Sequence, residues 1–228
     1  MQKPIYSIKN LTLDDNKNTI IKIKKFDLHR GAMYLFNGHV GSGKTTLLNL
    51  FCKEQKVPSN MLFYEGKDLN DISVSEYQKE ITFIKEINKI PWFAGTCEKF
   101  LKNKIKQNSN NTKIDSIFNK ICNSMKISNT VINKNVSELT AGEFRWLLLA
   151  GSIAIDNKVL FIDYIDMYLD YNKRMILNRL LKRKTSYDGV TVIATTYNPE
   201  GFKMSTSVHI KLDKGRITQL RSTPNKSK

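Results

Sequence analysis

The chain has 228 residues, 40% of them hydrophobic, and a formal net charge of +16, enough to bury one substantial core in a single domain with room for an inserted subdomain. No apolar run approaches the ~18 residues of a membrane-spanning helix, and the start MQKPIYSIKN lacks a secretory hydrophobic region, so any membrane role is expected to come through a partner. Lysines are spread along the whole chain among many Asn and Ile, with no arginine–aromatic stripe, so the charge reads first as solvated surface; anionic lipid head groups and nucleic acid are the alternatives.

The elements follow in chain order. "PIYSIKNLTL" and "TIIKIKKFDL" are β-branched, partly alternating segments on either side of the turn-like Asp14-Asp15-Asn16-Lys17-Asn18, so residues 1–36 read as strands. A short apolar strand, "AMYLFNG", leads into a glycine-rich turn and the helix "KTTLLNLFCKE"; "ITFIKE" at 81–86 is a further strand. Residues 101–135 are rich in Lys, Asn and Ser and read as loop, except that Ile114, Ile117, Phe118, Ile121, Cys122 and Met125 recur at helical spacing, with Asn111 or Thr112 as the candidate cap. Then come a helix after Gly142, the strand "KVLFID", a helix around "KRMILNRLLKRK" and the strand "GVTVIATT". A last strand pair lies near "SVHIKLDKGRITQL" with its turn at Asp213 to Gly215, and the tail STPNKSK is expected to be disordered. Cys52, Cys97 and Cys122 are scattered without metal-ligand spacing, which suits reduced thiols in a reducing compartment.

"NGHVGSGKTT" carries Gly38, Gly41, Ser42, Gly43, Lys44, Thr45 and Thr46 and fits the phosphate-loop pattern G-x-x-x-x-G-K-[ST], with a strand before and a helix after. Glycines let successive N–H groups point at phosphate oxygens, and the helix that begins there adds its positive dipole end. Lys44 would reach the β- and γ-phosphates and the Thr45 hydroxyl would help hold Mg²⁺. ATP with Mg²⁺ is the expected ligand.

With the loop in place, the chain resembles the nucleotide-binding subunit of an ABC transporter over nearly its full length. "LTAGE" (Leu139 to Glu143) looks like the family signature LSGGQ, and "MYLD" (Met167 to Asp170) looks like the dimer-contact loop after the aspartate-ending strand. The resemblance implies an α/β fold: a P-loop NTPase core at about 1–86 and 146–220, with an N-terminal antiparallel β subdomain, an inserted α-helical subdomain at about 87–145 and a flexible tail at 221–228. It also implies a head-to-tail dimer, homo- or heterodimeric, in which Thr140, Ala141 and Gly142 face the γ-phosphate of the partner's nucleotide. Taken alone, LTAGE is equally an ordinary helix-start box, with Thr140 as cap and Glu143 three residues on.

Against that pattern, several positions depart. Asp163 fits the Mg²⁺-supporting aspartate, but Tyr164 stands where the family has the glutamate that polarises water, and a phenol of pKa ~10 is a poor base at neutral pH. Asp166 carries the next carboxylate, at a position that faces elsewhere in the family. The family's switch histidine falls at Thr196 or Tyr197, and its Mg²⁺-contacting glutamine at Glu86; His209 reads as structural. The aromatic that stacks on adenine is missing near Asp14-Asp15, with Tyr6 a weak substitute. "KIPWFAGT", within Glu86 to Thr96, aligns with the loop that meets the transmembrane subunit, where Pro91, Trp92 and Phe93 would offer an apolar contact or else sit in the core.

The metal set is thus Thr45, Glu86 and Asp163. The expected function is an ATP-binding subunit of a membrane transport complex with weak or absent hydrolysis. The alternative is a non-hydrolysing structural subunit that uses nucleotide as a stabilising ligand. Ala141 and the Thr195–Thr196 pair are similar to the haem-exporter ATPase of cytochrome c maturation. The Lys- and Asn-rich composition suits an AT-rich source, placing the chain on the cytoplasmic or mitochondrial-matrix face of a membrane; a nucleic-acid partner is not expected.

Overall fold

The computed structural model describes residues 3–15, 18–91, 93–107 and 113–223. In Asn18–Leu28 (β2), buried Ile21 and Ile23 alternate with exposed Lys22 and Lys24, as a half-buried strand requires. It pairs antiparallel with Tyr6–Asp15 (β1). Leu62–Tyr64 (β4) and Lys67–Asp68 (β5) complete a four-stranded sheet of order β2-β1-β4-β5, the expected N-terminal antiparallel layer.

The second sheet is built on Met33–Asn37 (β3), followed by helix α1 (Lys44–Phe51) and, further on, α2 (Val74–Glu80). Its other strands are β6 (Ile81–Ile84), β7 (Val159–Ile162), β8 (Thr191–Thr196), β9 (Val208–Asp213) and β10 (Arg216–Ser222), in the order β10-β9-β3-β8-β7-β6. All pairings are parallel except the β9–β10 hairpin. Every residue of β7 and β8 is buried, the mark of strands covered on both faces. Odd and even positions divide between two cores: Met33, Leu35, Leu160 and Ile162 face the helices, while Tyr34, Phe36, Val159 and Phe161 face the antiparallel sheet and α1.

The register places the site. Asn37 pairs with Thr196, and Ile162 pairs with both Ile84 and Ala194, so β3, β6, β7 and β8 end at one edge. The segments leaving that edge carry Gly38, Glu86, Asp163 and Tyr197, which is where parallel α/β sheets bind ligands.

Helices α3 (Cys97–Gln107), α4 (Ile114–Met125) and α5 (Asn129–Ile132) pack on α6 (Ala141–Ala154), and α7 (Tyr171–Ser186) covers the same face of the sheet. The expected loop from 101 is a correction: α3 runs through it, burying Cys97, Leu101 and Ile105 at a four-residue spacing among lysines. The expected cap residues Asn111 and Thr112 lie outside the described residues; Lys113 precedes α4 without a side-chain cap bond. The expected tail also changes at its start. Arg221 and Ser222 pair with His209 and Val208, and Thr223 N–H donates to the Ser207 carbonyl at 2.8 Å, because a polar edge strand completes its ladder there. Residues 224–228 lie outside the described residues.

Candidate nucleotide site

The phosphate loop is shaped by backbone proximity. A Cβ on Gly38 would lie 2.2 Å from the Leu212 carbonyl oxygen, and Gly43 has φ 96° with a Cβ position 2.8 Å from Ile21 Cδ1. No other residue type fits either place without moving β9 or β2. The first helical bond of α1 runs from Leu47 N–H to the Gly43 carbonyl at 2.9 Å. The N–H groups of Lys44, Thr45 and Thr46 are therefore left at the loop end of the helix without helical acceptors. Gly41 and Val40 are exposed, so this end of the loop is open. The Lys44 ammonium donates to the carbonyls of Gly38 and His39 at 2.8 and 2.9 Å and to Ser42 Oγ at 3.3 Å. Burial lowers its pKa, with the Asp163 carboxylate opposing.

Asp163 leaves β7 buried. Its Oδ1 accepts from the Thr195 hydroxyl at 2.5 Å, while its Oδ2 is buried without any hydrogen-bond partner. An unpaired buried carboxylate oxygen beside a phosphate loop fits a hard cation, which prefers oxygen ligands. Thr195 Oγ1 also accepts from Tyr164 N–H at 2.7 Å, so one hydroxyl fixes both residues. Thr196 is fully buried and accepts from Asn198 N–H at 3.0 Å. Tyr197, half-exposed, is the one of the two that lies against Tyr164 and Lys44.

Tyr164 sits at φ 47°, in the left-handed region that is unusual for an aromatic residue. Its ring stacks on Tyr197 with centroids 4.6 Å apart and planes at 26°, and the Tyr197 hydroxyl donates to the Tyr164 oxygen at 2.8 Å. Lys44 Nζ lies 4.9 Å from the Tyr197 ring centre and 5.8 Å from that of Tyr164, within cation–π range. Burial first, then the Tyr197 hydroxyl, push the Tyr164 phenol well above its ordinary value, with the Thr45 hydroxyl within reach and opposing. The phenol is therefore neutral at physiological pH and unable to act as a base. The Asp166 Oδ2 accepts from Asn198 N–H at 3.3 Å, in the segment just after β8.

Arg145 ties these segments together, a role not legible in the family motifs. It is 2% exposed, and its Nη1 donates to the carbonyls of Lys85 and Glu86 at 2.7 and 3.2 Å. Its Nη2 donates to those of Asp163 and Tyr164 at 2.5 and 2.8 Å. Burial lowers its pKa, offset by Asp163 and more weakly by Asp166, Tyr168 and Glu86. The signal available in the sequence was a lone charge in the apolar run "FRWLLLAGSIAI". Glu86 is thus brought to the same edge as Asp163 and Thr45 through its backbone, with its side chain half-buried.

At the far end, Thr140 and Glu143 form a complete capping box: Glu143 N–H donates to Thr140 Oγ1 at 3.2 Å, and Thr140 N–H donates to Glu143 Oε2 at 2.9 Å. The plain structural role of LTAGE is thus realised. Thr140 and Ala141 nevertheless remain exposed at the start of α6, next to Gly142, whose Cβ position would lie 3.3 Å from Tyr168 Cβ. Asp170 caps α7 through Lys173 N–H at 2.8 Å. Tyr6 is corrected as an adenine platform, since it is fully buried and hydrogen-bonds the Tyr77 hydroxyl within the core. In the Glu86–Thr96 segment Ile87 and Phe93 are exposed, Phe93 completely, which removes the core alternative for it; Trp92 lies outside the described residues.

Comparison with known proteins agrees with this fold. The chain is 23% identical over 197 residues to the probable iron export ATP-binding protein FetA of Escherichia coli, with 86% of each chain covered. It is 24% identical over 222 residues to the spermidine/putrescine import ATP-binding protein PotA of Mycoplasma mycoides, covering 96% of this chain and 62% of that one. In structure it superposes on the dimeric ATP-binding cassette MJ0796 bound to ADP and Pi with a TM-score of 0.81 at 19% identity, covering 95% of this chain and 98% of the other. No helix among the described residues is long and apolar enough to cross a membrane. The family profile described as "ABC transporter" matches residues 21–164. Spanning the phosphate loop, the helix-start signature and Asp163, that match places the chain in the ABC transporter family.

Proposed function

We propose that the chain is the ATP-binding subunit of a membrane ABC transporter complex, holding Mg-ATP at a dimer interface with weak or absent hydrolysis. The observation that carries this is the tyrosine pair. Tyr164 and Tyr197 stand at the two positions where the family places its water-polarising glutamate and its switch histidine, and they are bonded to each other. The phosphate-holding side is complete by contrast. The N–H groups at the start of α1, Lys44 and the Thr45 hydroxyl would hold the phosphates, with Thr45, Asp163 Oδ2 and the Glu86 carboxylate as the Mg²⁺ set. When bound, Mg²⁺ supplies charge neutralisation at the phosphates. The Tyr164 phenol, held neutral by burial and by the Tyr197 hydroxyl, does not take a proton from water at neutral pH, so the chain's own residues bind and orient without activating a nucleophile.

Thr140 and Ala141, exposed at a helix start, with Gly142 beside them, support a sandwich in which this chain offers its signature to a second nucleotide-binding subunit, a copy of itself or another chain. Exposed Ile87 and Phe93 support docking of a transmembrane subunit on the Glu86–Thr96 segment, with the chain peripheral on the cytoplasmic or matrix face. Haem as cargo draws only on Ala141 and the threonine pair, and Thr195 has a positioning duty here whatever the cargo. The test is nucleotide-binding calorimetry beside steady-state ATPase assays, with the chain alone and with co-purifying membrane polypeptides. Binding with little or no turnover supports the proposal, and absence of binding refutes it. Binding without turnover in any assembly, and with no membrane partner, moves the chain to the purely structural role.

A further inference from the structure

We infer that the cleft between β9, β10 and the helical turn Pro199–Phe202 is a second anion site, one that takes a dianionic phosphate group. The strand register builds it. Arg221 stands opposite His209 and Gln219 opposite Lys211 across the β9–β10 ladder, and on its other side β9 sets Lys211 opposite Asn37 of β3. His209 and Lys211 alternate with buried Ile210 and Leu212, so they point to the other face of the sheet. Pro199, Glu200 and Lys203, from the segment after β8, close a volume of about 330 Å³ over that face, near the lower end, roughly 300 Å³, of small-ligand pockets. Neither Lys44, Asp163 nor Tyr197 lines it, so the cleft is distinct from the nucleotide site.

The walls are unbalanced in charge. Lys203, Lys211 and Arg221 bring three cations from three separate segments, against one carboxylate, Glu200, which already ion-pairs with Lys203. Among the described residues, Lys211 and Arg221 have no carboxylate at ion-pair distance. Gln219, with its amide oxygen turned toward Arg221, accepts from Nη2 at 2.9 Å and from Nε at 3.2 Å, which fixes the guanidinium along β10. Half-buried His209 sits among these groups. Burial lowers its pKa, Glu200 opposes, and Lys203 and Arg221 add to the lowering. A dianion supplies the missing charge: the guanidinium and the ammonium groups make charge-assisted bonds to its oxygens, and a protonated imidazole adds another donor.

The test is a protein-observed NMR titration of the full chain with inorganic phosphate, at constant ionic strength and with saturating Mg-ADP on the phosphate loop. Saturable shifts are expected at the His209 ring and at the Lys211 and Arg221 amides. The double variant Lys211→Gln with Arg221→Gln, at exposed positions, is expected to weaken them by at least about tenfold and to leave Mg-ADP affinity unchanged. Sulfate, whose charge is constant from neutral to mildly acid pH, is expected to bind more tightly as His209 protonates, and His209→Gln is expected to remove that gain. Shifts that do not saturate, that chloride reproduces, or that persist in the double variant overturn the site. Co-sedimentation with phosphatidic acid vesicles separates the sources: loss in the double variant assigns the phosphate to a lipid head group, and no loss assigns it to a free ligand. Failure of Mg-ADP to bind strikes the proposed function alone, since the cleft is read at its own residues.

Discussion

The Tyr197 hydroxyl donates to the Tyr164 phenol at 2.8 Å while their rings stack 4.6 Å apart, joining the ends of β7 and β8 across the phosphate loop. The two tyrosines are thus one structural unit. Each tyrosine completes the other's hydrogen bonding and covers the other's ring, so changing either alone leaves an ill-matched partner.

Tyr164→Glu alone is therefore expected to raise ATP turnover by less than about tenfold, because Tyr197 still covers Lys44. The double variant Tyr164→Glu with Tyr197→His is expected to raise it by about a hundredfold, the lower range of a positioned general base. Steady-state phosphate release from the two variants, measured side by side, checks the order.

Arg145→Lys removes the fork that reaches the carbonyls of Lys85, Glu86, Asp163 and Tyr164. An ammonium satisfies fewer of them, and each buried carbonyl left unpaired is costly. The expected loss is about 3 kcal/mol of stability, read as a lower denaturant midpoint with little change in slope.

Thr195→Val keeps the shape of a fully buried side chain but strands Asp163 Oδ1 and Tyr164 N–H. It is expected to cost about 2 kcal/mol and to weaken the Mg²⁺ dependence of nucleotide binding. Titrating Mg²⁺ at fixed ADP reports the second effect. An unchanged Mg²⁺ dependence would show that Asp163 does not need this threonine to face the ion.

The capping box at α6 makes stability depend on pH in a defined direction. The Thr140 N–H, then the Thr140 hydroxyl, with Lys134 adding, hold the Glu143 carboxyl below its ordinary value. A depressed carboxyl contributes stability above its unfolded pKa of ~4.3, and that contribution is lost as pH falls through the folded value. Thr140→Ala is expected to cost about 1 kcal/mol at neutral pH and to flatten the acid limb of the unfolding curve. Comparing the unfolding midpoints of wild type and variant between neutral and acid pH checks both.

The phosphate loop, Asp163 and the parallel core were legible because glycine spacing, an apolar run and a strand–turn–helix order are local signals. What joins the site was not. Arg145 acts through backbone carbonyls of residues 18 to 60 positions away, and no motif records a partner that is a carbonyl. Between Thr196 and Tyr197 the sequence left the choice open; what it could not show is that the register of β8 against β3 buries Thr196 and leaves Tyr197 half-exposed beside Tyr164. Helix α3 was hidden because its apolar stripe, Cys97, Leu101 and Ile105, is narrow and set among lysines. The strands at Leu62–Tyr64 and Lys67–Asp68 are too short to show an alternating pattern.

The most direct measurement is a single-turnover experiment: radiolabelled ATP bound to excess chain with Mg²⁺, quenched over time and separated into ATP and ADP. The expected result is bound ATP that remains largely intact for many minutes, with the double variant Tyr164→Glu with Tyr197→His converting it to ADP far faster. Wild-type conversion at a rate on the order of 1 s⁻¹, ordinary for an enzyme, would contradict a site whose paired tyrosines hold nucleotide without activating water.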